Sequence, residues 1–160
     1  MEMQSRRGIL ANAARAAVAV FGGSMMASKA TAQAPSVQKR NATQLPGVVY
    51  KGAPLPFTSV VGFGNLLFVS GVGCSMEGTI EEQTNCVFDL MEKNLKAAGS
   101  SLEKVLQINI YLADMKSYDR MNVVYKTRNW GAVFPARNCV SPAALPAADR
   151  GLSVDCIAYV

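Results

Sequence analysis

Two strand-like runs, at residues 57–63 and 66–70, constrain the fold of this chain more than any other feature. Both runs are apolar over most of their length, and only Gly64-Asn65 separates them. Glycine readily adopts the positive φ that a tight two-residue turn requires, so the pattern predicts a β-hairpin. This hairpin is the plainest strand signal of the chain.

A helix is predicted shortly after the hairpin. Thr79 and Glu82 have the spacing of a capping box, with the hydroxyl at the N-cap and the carboxylate three residues later. Gly99 is placed to end the helix. The apolar residues at helical spacing are Ile80, Val87, Leu90, Met91, Leu95 and Ala98. Because they lie on one side only, the helix is predicted to pack on a sheet.

Residues 105–112 alternate as a strand does. One face is apolar, with Leu106, Ile108, Ile110 and Leu112. The other face is polar but uncharged, with Gln107, Asn109 and Tyr111. Such a face suits a wet interior or a subunit contact better than bulk solvent.

The remaining elements complete an α+β pattern. A second helix is predicted from about Ser117 to Trp130, and strands are predicted at residues 137–140 and 152–158. The apolar side of the second helix carries Tyr118, Met121, Val124 and Tyr125. With a short first strand near residues 48–50, the order is βββαβαββ. This order predicts a single α+β domain with both helices on one face of the sheet.

Residues 1–34 have the composition of an export signal. Paired arginines at 6–7 precede Ile-Leu at 9–10, a mildly apolar run rich in alanine and glycine follows, and small residues recur at 30–34. This order predicts a twin-arginine signal and a location in the bacterial periplasm. An arginine-rich mitochondrial transit peptide, with a matrix location, is the alternative. A membrane anchor ranks last because the apolar run is short.

The predicted domain boundaries follow from this signal. Residues 35–46 are predicted to be a polar tether, and residues 47–160 form the folded domain. Residues 1–34 hold four of the 16 Lys and Arg and one of the 11 Asp and Glu, so the rest of the chain carries a net charge of only +2. The sequence pI of 9.2 is therefore a weak argument for nucleic-acid binding.

Histidine is absent and cysteine is sparse. A chain with no histidine lacks Ser-His and Cys-His nucleophile pairs and the common zinc patterns. The cysteines are Cys74, Cys86, Cys139 and Cys156, and none forms a CxxC pair. Since a twin-arginine substrate folds in a reducing cytoplasm, we expect four free, mostly buried thiols.

Arg137 is the most informative candidate for a binding site. It lies in FPARNCVSPAALP, residues 134–146, where most neighbours are apolar or proline. An unpaired guanidinium is not buried, so this cation either pairs with an acid at the rim of the fold or awaits an anion. Three other candidates have simple structural alternatives: Asp155 as part of a solvated strand face, Ser70 as a turn residue and Asn122 as a helix-surface residue.

Short motifs spread over residues 47–160 form an ordered set. They lie at residues 56–59, 64–71, 82–84, 94–95, 97–99, 111–115, 121–125, 135–140, 144–146 and 155–158. In this order they resemble the RidA (YjgF) family, also called endoribonuclease L-PSP. The resemblance implies a chorismate-mutase-like fold assembled as a homotrimer, with ligand clefts between subunits. Burial in a trimer would account for the uncharged polar strand face.

The resemblance also implies an activity, which is hydrolysis of reactive enamines and imines such as 2-aminoacrylate to a 2-keto acid and ammonia. The implied catalytic residues are Arg137, Asp155 and Cys139, and the implied substrate-binding residues are Phe57, Ser70, Gly71, Asn122 and Arg137. In these roles Arg137 clamps the substrate carboxylate, and the backbone at Cys139 helps to shape the nitrogen and water site. No metal and no organic cofactor is expected. The expected partners are a small carboxylate substrate and further copies of the chain, without nucleic acid and without a membrane anchor after cleavage.

Three positions depart from the family pattern. Phe57 stands where a tyrosine is usual, Val72 where a glutamine is usual, and Asp155 where a glutamate usually holds the attacking water. Two alternatives to the hydrolase therefore remain: a non-catalytic trimeric protein that binds a small carboxylate and, less favoured, the ribonuclease of the family's other name.

Overall fold

The computed structural model describes residues 38–43, 49–50, 53–147 and 149–160, which form a six-stranded sheet, a two-stranded sheet and two α-helices. The strands are β1 Arg40–Asn41, β2 Val49–Tyr50, β3 Ala53–Pro54, β4 Val60–Phe63, β5 Leu66–Gly73, β6 Val105–Leu112, β7 Ala136–Val140 and β8 Leu152–Tyr159. The helices are α1 Ile80–Ala97 and α2 Tyr118–Thr127, with 3-10 turns at Leu102–Lys104 and Met115–Ser117. The larger sheet has the order β1-β4-β5-β8-β6-β7, in which only the β6–β7 pair is parallel.

The predicted hairpin is confirmed as β4 and β5. Val60 pairs with Val69 and Phe63 with Leu66, so the register closes at the predicted turn. Gly64 has a φ of 60°, the left-handed conformation for which glycine is preferred. The predicted alternation therefore places every second residue of the hairpin in the core.

Helix α1 begins and ends as predicted. The Thr79 side chain accepts a hydrogen bond from the Glu82 N–H, and the Glu82 carboxylate accepts one from the Thr79 N–H, so the capping box is complete. Leu90, however, is exposed, and the prediction that it belongs to the apolar face is wrong. It lies about 100° around the helix from the fully buried Met91, on the flank of the stripe. Phe88 fills the core instead.

Leu106 is a second misplaced apolar residue. Val105 pairs with Ala158 while Gln107 pairs with Ile157, so Leu106 is the extra residue of a β-bulge. A bulge breaks the strict alternation of faces, and Leu106 is left 48% exposed. The other predicted apolar residues of β6 are fully buried, as expected.

Helix α2 is shorter than predicted. It ends at Thr127 because Arg128 adopts an extended backbone, with ψ near 148°. Trp130 follows the helix and is buried, and its indole N–H donates to the Tyr125 carbonyl at 2.8 Å. Trp130 is therefore a loop residue that packs against α2, not the last residue of the helix as predicted.

The first strand of the main sheet differs from the prediction. The strand predicted near residues 48–50 is present as β2 but pairs with β3 in the small sheet. Arg40–Asn41, in the segment predicted as a tether, forms β1 and pairs with β4. The main sheet and helices thus keep the order βββαβαββ with a different first strand. The predicted export signal lies outside the described residues.

The expectation of four free thiols is wrong for one pair. Cys74, just after β5, and Cys86, in α1, form a disulfide, with 6.1 Å between their Cα atoms. Twelve residues separate them, so no short motif marks the pair, and the return of the chain along α1 brings them together. Cys139 and Cys156 are free, and Cys156 is buried as expected.

Both helices cover one face of the main sheet, as predicted, and the core lies between them and the sheet. The largest fully buried side chains are Trp130, Phe88, Leu67, Met91, Leu95, Ile108, Ile110, Leu112, Met121, Leu152, Val60 and Val87. None of the described helices covers the other face of the sheet, which we call the uncovered face. Phe68 and Val140 on that face are 41% and 49% exposed.

Candidate functional site

Arg137 lies on β7, an edge strand, with its side chain on the face that the helices cover. In the β6–β7 register it stands beside Ile108, which is fully buried under the helices. Helix α2 packs over this edge of the sheet, so Arg137 is half-buried between strand and helix. The alternation of side chains along β7 thus points the cation of Arg137 towards the helices.

Three residues of α2 hold the guanidinium. Arg137 Nη1 donates to Asn122 Oδ1 at 2.7 Å, and Nη2 donates to the Tyr118 hydroxyl at 3.0 Å. The guanidinium carbon lies 4.5 Å from the ring centre of Tyr125, a cation–π contact. Residues 118, 122 and 125 share one stripe of the helix, because they are spaced at i, i+4 and i+7. We call these three residues with Arg137 the arginine cluster.

The partners of Arg137 are neutral. Within the described ranges the ion pairs join Lys96 to Glu92, Arg120 to Glu81 and Arg128 to Asp89, and none of them involves Arg137. The alternative that Arg137 pairs with an acid at the rim is therefore not seen. Among the described residues, these two hydrogen bonds leave further N–H donors of the guanidinium without a partner, since arginine carries more donors than two neutral acceptors use.

An aromatic stack fixes the base of the cluster. Tyr125 lies 4.8 Å from Trp130, with 30° between the ring planes, and 6.0 Å from Phe134. Burial raises the pKa of Tyr125, and the nearby Arg137 partly opposes the shift. The ring is therefore a neutral, closely packed surface under the cation. The helical periodicity predicts an apolar face for Tyr118 and Tyr125 and does not reveal their contacts with Arg137. Their spacing with Asn122 was the available signal.

Cys139 lies two residues after Arg137 on the same face. It stands beside Ile110 and packs against the core, half-buried. Burial raises the pKa of the Cys139 thiol, and Arg137 partly opposes this, so the thiol is neutral at pH 7. The sulfur is consequently a poor nucleophile. The backbone of β7 pairs on one side only among the described strands, so half of its polar groups face outward near Arg137.

Asp155 lies on the opposite face of the sheet. It pairs with Asn109 across β8 and β6, on the uncharged polar face. Its carboxylate accepts hydrogen bonds from the Asn109 amide at 2.7 Å and the Tyr111 hydroxyl at 2.8 Å. The bond to Asp155, with burial, raises the pKa of Tyr111. Asn138 extends the network by donating from its side-chain amide to Asn109 Oδ1 at 3.3 Å.

Ser70 and Gly71 stand next to Asp155. Val69 pairs with Cys156 and Val72 with Val154, so Ser70 and Gly71 together oppose Asp155 in a β-bulge. The Ser70 hydroxyl donates to the Thr58 carbonyl at 2.7 Å. This bond ties the segment that carries Phe57, which is 53% exposed, to β5.

The predicted site residues therefore form two groups. Arg137, Asn122 and Cys139 meet on the helix-covered face at β7, whereas Ser70, Gly71 and Asp155 meet on the uncovered face at β5 and β8. Phe57 precedes the hairpin beside the second group. The sheet separates the groups within one chain, so a single subunit does not bring Asp155 to an anion held by Arg137. Val72, which replaces the usual glutamine, is buried in the core.

A separate cavity of about 530 Å³ lies at the start of α1, and it contains none of the predicted site residues. Its lining includes Glu82, Gln83, Asp114, Arg120 and Gly151. Within this lining, Gln83 donates to the Met76 carbonyl and accepts from the Gly151 N–H. The cavity is thus lined by groups that already hold loops together.

Two further features of the described residues concern membrane-spanning helices and metal-binding groups. None of the helices there combines the length and apolarity needed to cross a membrane. The same ranges contain no group of three or more His, Cys, Asp or Glu side chains placed to hold a metal ion.

Comparison with known proteins identifies relatives of the chain. A family model described as Endoribonuclease L-PSP matches residues 51–160. Protein mmf2, mitochondrial, from Schizosaccharomyces pombe is 36% identical over 110 residues, covering 64% of this chain and 86% of that protein. Reactive Intermediate Deaminase A, chloroplastic, from Arabidopsis thaliana is 32% identical and covers 64% of this chain and 58% of that protein.

Solved structures agree with this family in fold. A YjgF family member from Neisseria meningitidis superposes with a TM-score of 0.65 at 29% identity, covering 77% of this chain and 95% of that one. Yeast Mmf1 superposes with a TM-score of 0.62 at 30% identity, covering 67% and 89% of the two chains.

Proposed function

The chain belongs to the RidA (YjgF) family, also described as endoribonuclease L-PSP, with its chorismate-mutase-like α+β fold, and from this premise we propose that it hydrolyses reactive imines of amino acids. The relative from Arabidopsis thaliana bears the name Reactive Intermediate Deaminase A. The proposed substrates are 2-imino acids and the enamines from which they form, such as 2-aminoacrylate. The products are a 2-keto acid and ammonia.

One observation carries this proposal: Arg137 is a half-buried cation whose described partners, Asn122 and Tyr118, are both neutral. A buried charge without a counter-ion is unfavourable, and a bound anion removes that cost. Arginine binds carboxylates through two parallel hydrogen bonds, which orients the ligand as well as holding it. A small carboxylate is thus the anion that suits this cluster.

The chemistry asked of the protein is modest. An enamine first shifts a proton to carbon and becomes an imine; water then adds to the imine carbon, and the nitrogen leaves as ammonia while the carbonyl forms. Holding the carboxylate fixes the position of the imine carbon, and this positioning lowers the barrier to the addition of water. No activated nucleophile is needed, which agrees with a chain without histidine and a neutral Cys139 thiol.

The two groups of site residues support self-association. Asp155 and Ser70 lie on the uncovered sheet face, while Arg137 lies on the other side of the sheet. In the proposed homotrimer, Arg137 of one copy meets the uncovered face of the next, and the site is completed between subunits. Exposed Phe68 and Val140 on that face favour burial against another chain. Sedimentation of a monomer at concentrations that support activity would refute this assembly.

Export is a further part of the proposal. The order of basic, apolar and small residues in residues 1–34 favours a twin-arginine signal. A chain that folds in the reducing cytoplasm would then close the Cys74–Cys86 disulfide only after export, in the oxidising periplasm. The mitochondrial names of several relatives favour the alternative destination. Expression of the full chain in bacteria, followed by fractionation and N-terminal sequencing, decides between them. A protein that stays uncleaved in the cytoplasm contradicts export.

The central experiment is imine hydrolysis by residues 35–160, the part of the chain that follows the predicted signal, and by its Arg137→Ala variant. We expect the variant to lose at least about a hundredfold in kcat/KM, because two charge-assisted hydrogen bonds are each worth roughly 1.5–3 kcal/mol. Arg120→Ala is the matched control, since Arg120 is an exposed arginine paired with Glu81, and its activity should be unchanged. Equal activity of the wild type and Arg137→Ala would overturn the proposal.

In the alternative of a non-catalytic carboxylate-binding protein, Arg137 still holds the ligand but no substrate is turned over. It is favoured if 2-keto acids raise the thermal stability of the wild type, but not of Arg137→Ala, while no imine is hydrolysed. Cleavage of RNA by contaminant-free protein would instead favour the ribonuclease.

A further inference from the structure

A polar network on the uncovered face joins three strands around Asp155. Asp155 Oδ1 accepts a hydrogen bond from the Asn109 side-chain amide, and Oδ2 accepts one from the Tyr111 hydroxyl. Asn109 lies directly opposite Asp155, whereas Tyr111 lies two residues further along β6 and reaches it diagonally. Asn138 on β7 donates to Asn109 Oδ1, so the amide of Asn109 faces Asp155 with its donor end. Both oxygens of one carboxylate are therefore held from the same neighbouring strand.

Two donors restrict this carboxylate in a way that one donor does not. A carboxylate with a single bonded oxygen still rotates about its Cβ–Cγ bond, because that terminal torsion has a broad energy well. With a donor on each oxygen, rotation breaks at least one charge-assisted hydrogen bond. Tyr111 supplies the second donor, so its hydroxyl fixes the plane of the Asp155 carboxylate.

The network also leaves Asp155 able to accept further hydrogen bonds. A carboxylate offers about four lone pairs, and two are used among the described residues. The ion pairs of the described ranges do not include Asp155, so its donors hold it without a neutralising cation. On the β5 side, the Ser70 hydroxyl donates to the Thr58 carbonyl, and Gly71 has no side chain. The carboxylate is thus oriented from β6 and open towards β5.

Tyr111 keeps its proton over the neutral pH range. Its hydrogen bond to Asp155, with burial, raises the pKa of Tyr111 above the usual value of a phenol. The hydroxyl is therefore a permanent donor to Asp155, and the orientation of the carboxylate does not depend on a titration near neutral pH.

We propose that Tyr111 is a positioning residue for imine hydrolysis, which fixes Asp155 so that an open lone pair of its carboxylate accepts a hydrogen bond from the attacking water. This inference rests on the proposed function, in which Asp155 of one copy faces the anion held by Arg137 of another. In the addition step, the water oxygen bonds to the imine carbon and the C=N electron pair moves to the nitrogen. The water proton passes to the carboxylate and from there to the nitrogen. Since Arg137 holds the substrate, Tyr111 acts on this step and not on binding.

The first test compares kcat and KM of the full-length wild type with those of Tyr111→Phe, which removes the hydroxyl and keeps the ring. A displacement of about 1 Å can cost about a hundredfold in rate, and Asn109 still holds one oxygen, so we expect kcat to fall roughly tenfold. KM should stay within about twofold, because the carboxylate clamp is unchanged. Tyr159→Phe is the matched control, since Tyr159 at the end of β8 is 37% exposed, and its kcat should equal that of the wild type.

A double-mutant cycle with Asp155→Ala separates positioning from a general structural role. If Tyr111 acts through Asp155, adding Tyr111→Phe to Asp155→Ala should not lower kcat further, whereas independent effects multiply. Asn109→Leu removes the other donor and should lower kcat to a similar degree as Tyr111→Phe, again with KM retained. Sedimentation of every variant measures whether the assembly is intact.

The outcomes separate this inference from the proposed function. Arg137-dependent hydrolysis in which Tyr111→Phe keeps the wild-type kcat overturns the inference alone. A loss that appears in KM instead of kcat, or that recurs in full in the Asp155→Ala background, contradicts it as well. If Tyr111→Phe dissociates the assembly and recovers the wild-type kcat at concentrations that restore it, Tyr111 is a subunit contact and the inference is wrong. If the wild type hydrolyses no imine, the inference and the proposed function both fail.

Discussion

Asn122→Asp gives Arg137 the carboxylate partner that it lacks among the described residues. The aspartate has the same shape as the asparagine. The Oδ1 acceptor, which lies 2.7 Å from Arg137 Nη1 in the wild type, becomes part of a charged carboxylate. Two unit charges about 4 Å apart interact by about 4 kcal/mol at an effective dielectric constant of 20. Arg137 is only half-buried, so solvent screening lowers this to roughly 2 kcal/mol. A substrate carboxylate must compete with that ion pair.

We therefore expect Asn122→Asp to weaken carboxylate binding about thirtyfold, the equivalent of roughly 2 kcal/mol, with folding stability unchanged or increased. Asn122→Ala is the comparison, because it removes one hydrogen bond without adding charge and should cost only about fivefold. Calorimetric titration with pyruvate measures both, together with KM in the imine assay. Equal affinities of Asn122→Asp and the wild type would show that Arg137 does not hold the anion. A larger loss in Asn122→Ala would show that Asn122 itself contacts the ligand.

Two further predictions concern the cysteines. The Cys74–Cys86 disulfide closes a loop with a separation of 12 residues, so reduction should cost about 3 kcal/mol and lower Tm by roughly 10 °C. Melting with and without reductant tests this, and a Cys74→Ser, Cys86→Ser variant should show no dependence on reductant. Burial, with a contribution from Asp155, raises the pKa of the Cys156 thiol to about 12. The contribution of the protonated thiol to the free energy of unfolding is therefore complete below about pH 9, and it is lost as the pH rises towards 12. Between pH 8 and 10.5 the wild type should lose about 2 kcal/mol more unfolding free energy than Cys156→Ala in urea titrations; parallel losses would contradict the assignment.

The local signals in the sequence were the reliable ones. The Gly64-Asn65 turn, the Thr79–Glu82 capping box and the stop at Gly99 each depend on a few neighbouring residues, and all three are present in the structure. The errors arose where tertiary pairing shifts a residue out of its local pattern. The β6 bulge exposed Leu106, and the first strand of the main sheet formed at β1 instead of near residues 48–50.

The candidate site divides in the same way. Arg137 was identified from its sequence neighbours, since a cation among apolar residues is conspicuous in one dimension. Its neutral partners on α2 were not, because Tyr118 and Tyr125 read equally well as core residues of an amphipathic helix. Only the fold shows whether Arg137 has an acidic partner, because its contacts come from distant segments of the chain.

By itself the sequence determined the α+β order of elements, the resemblance to the RidA family and the residue types available for chemistry, because periodicity, turn residues and short motifs are local properties. Only the tertiary structure decided that Cys74 and Cys86 pair, that α2 holds the guanidinium, and that Arg137 and Asp155 lie on opposite faces of the sheet. The physical reason is that strand register and helix packing determine which distant side chains share a face, and a change of one residue in register moves a side chain to the other side of the sheet.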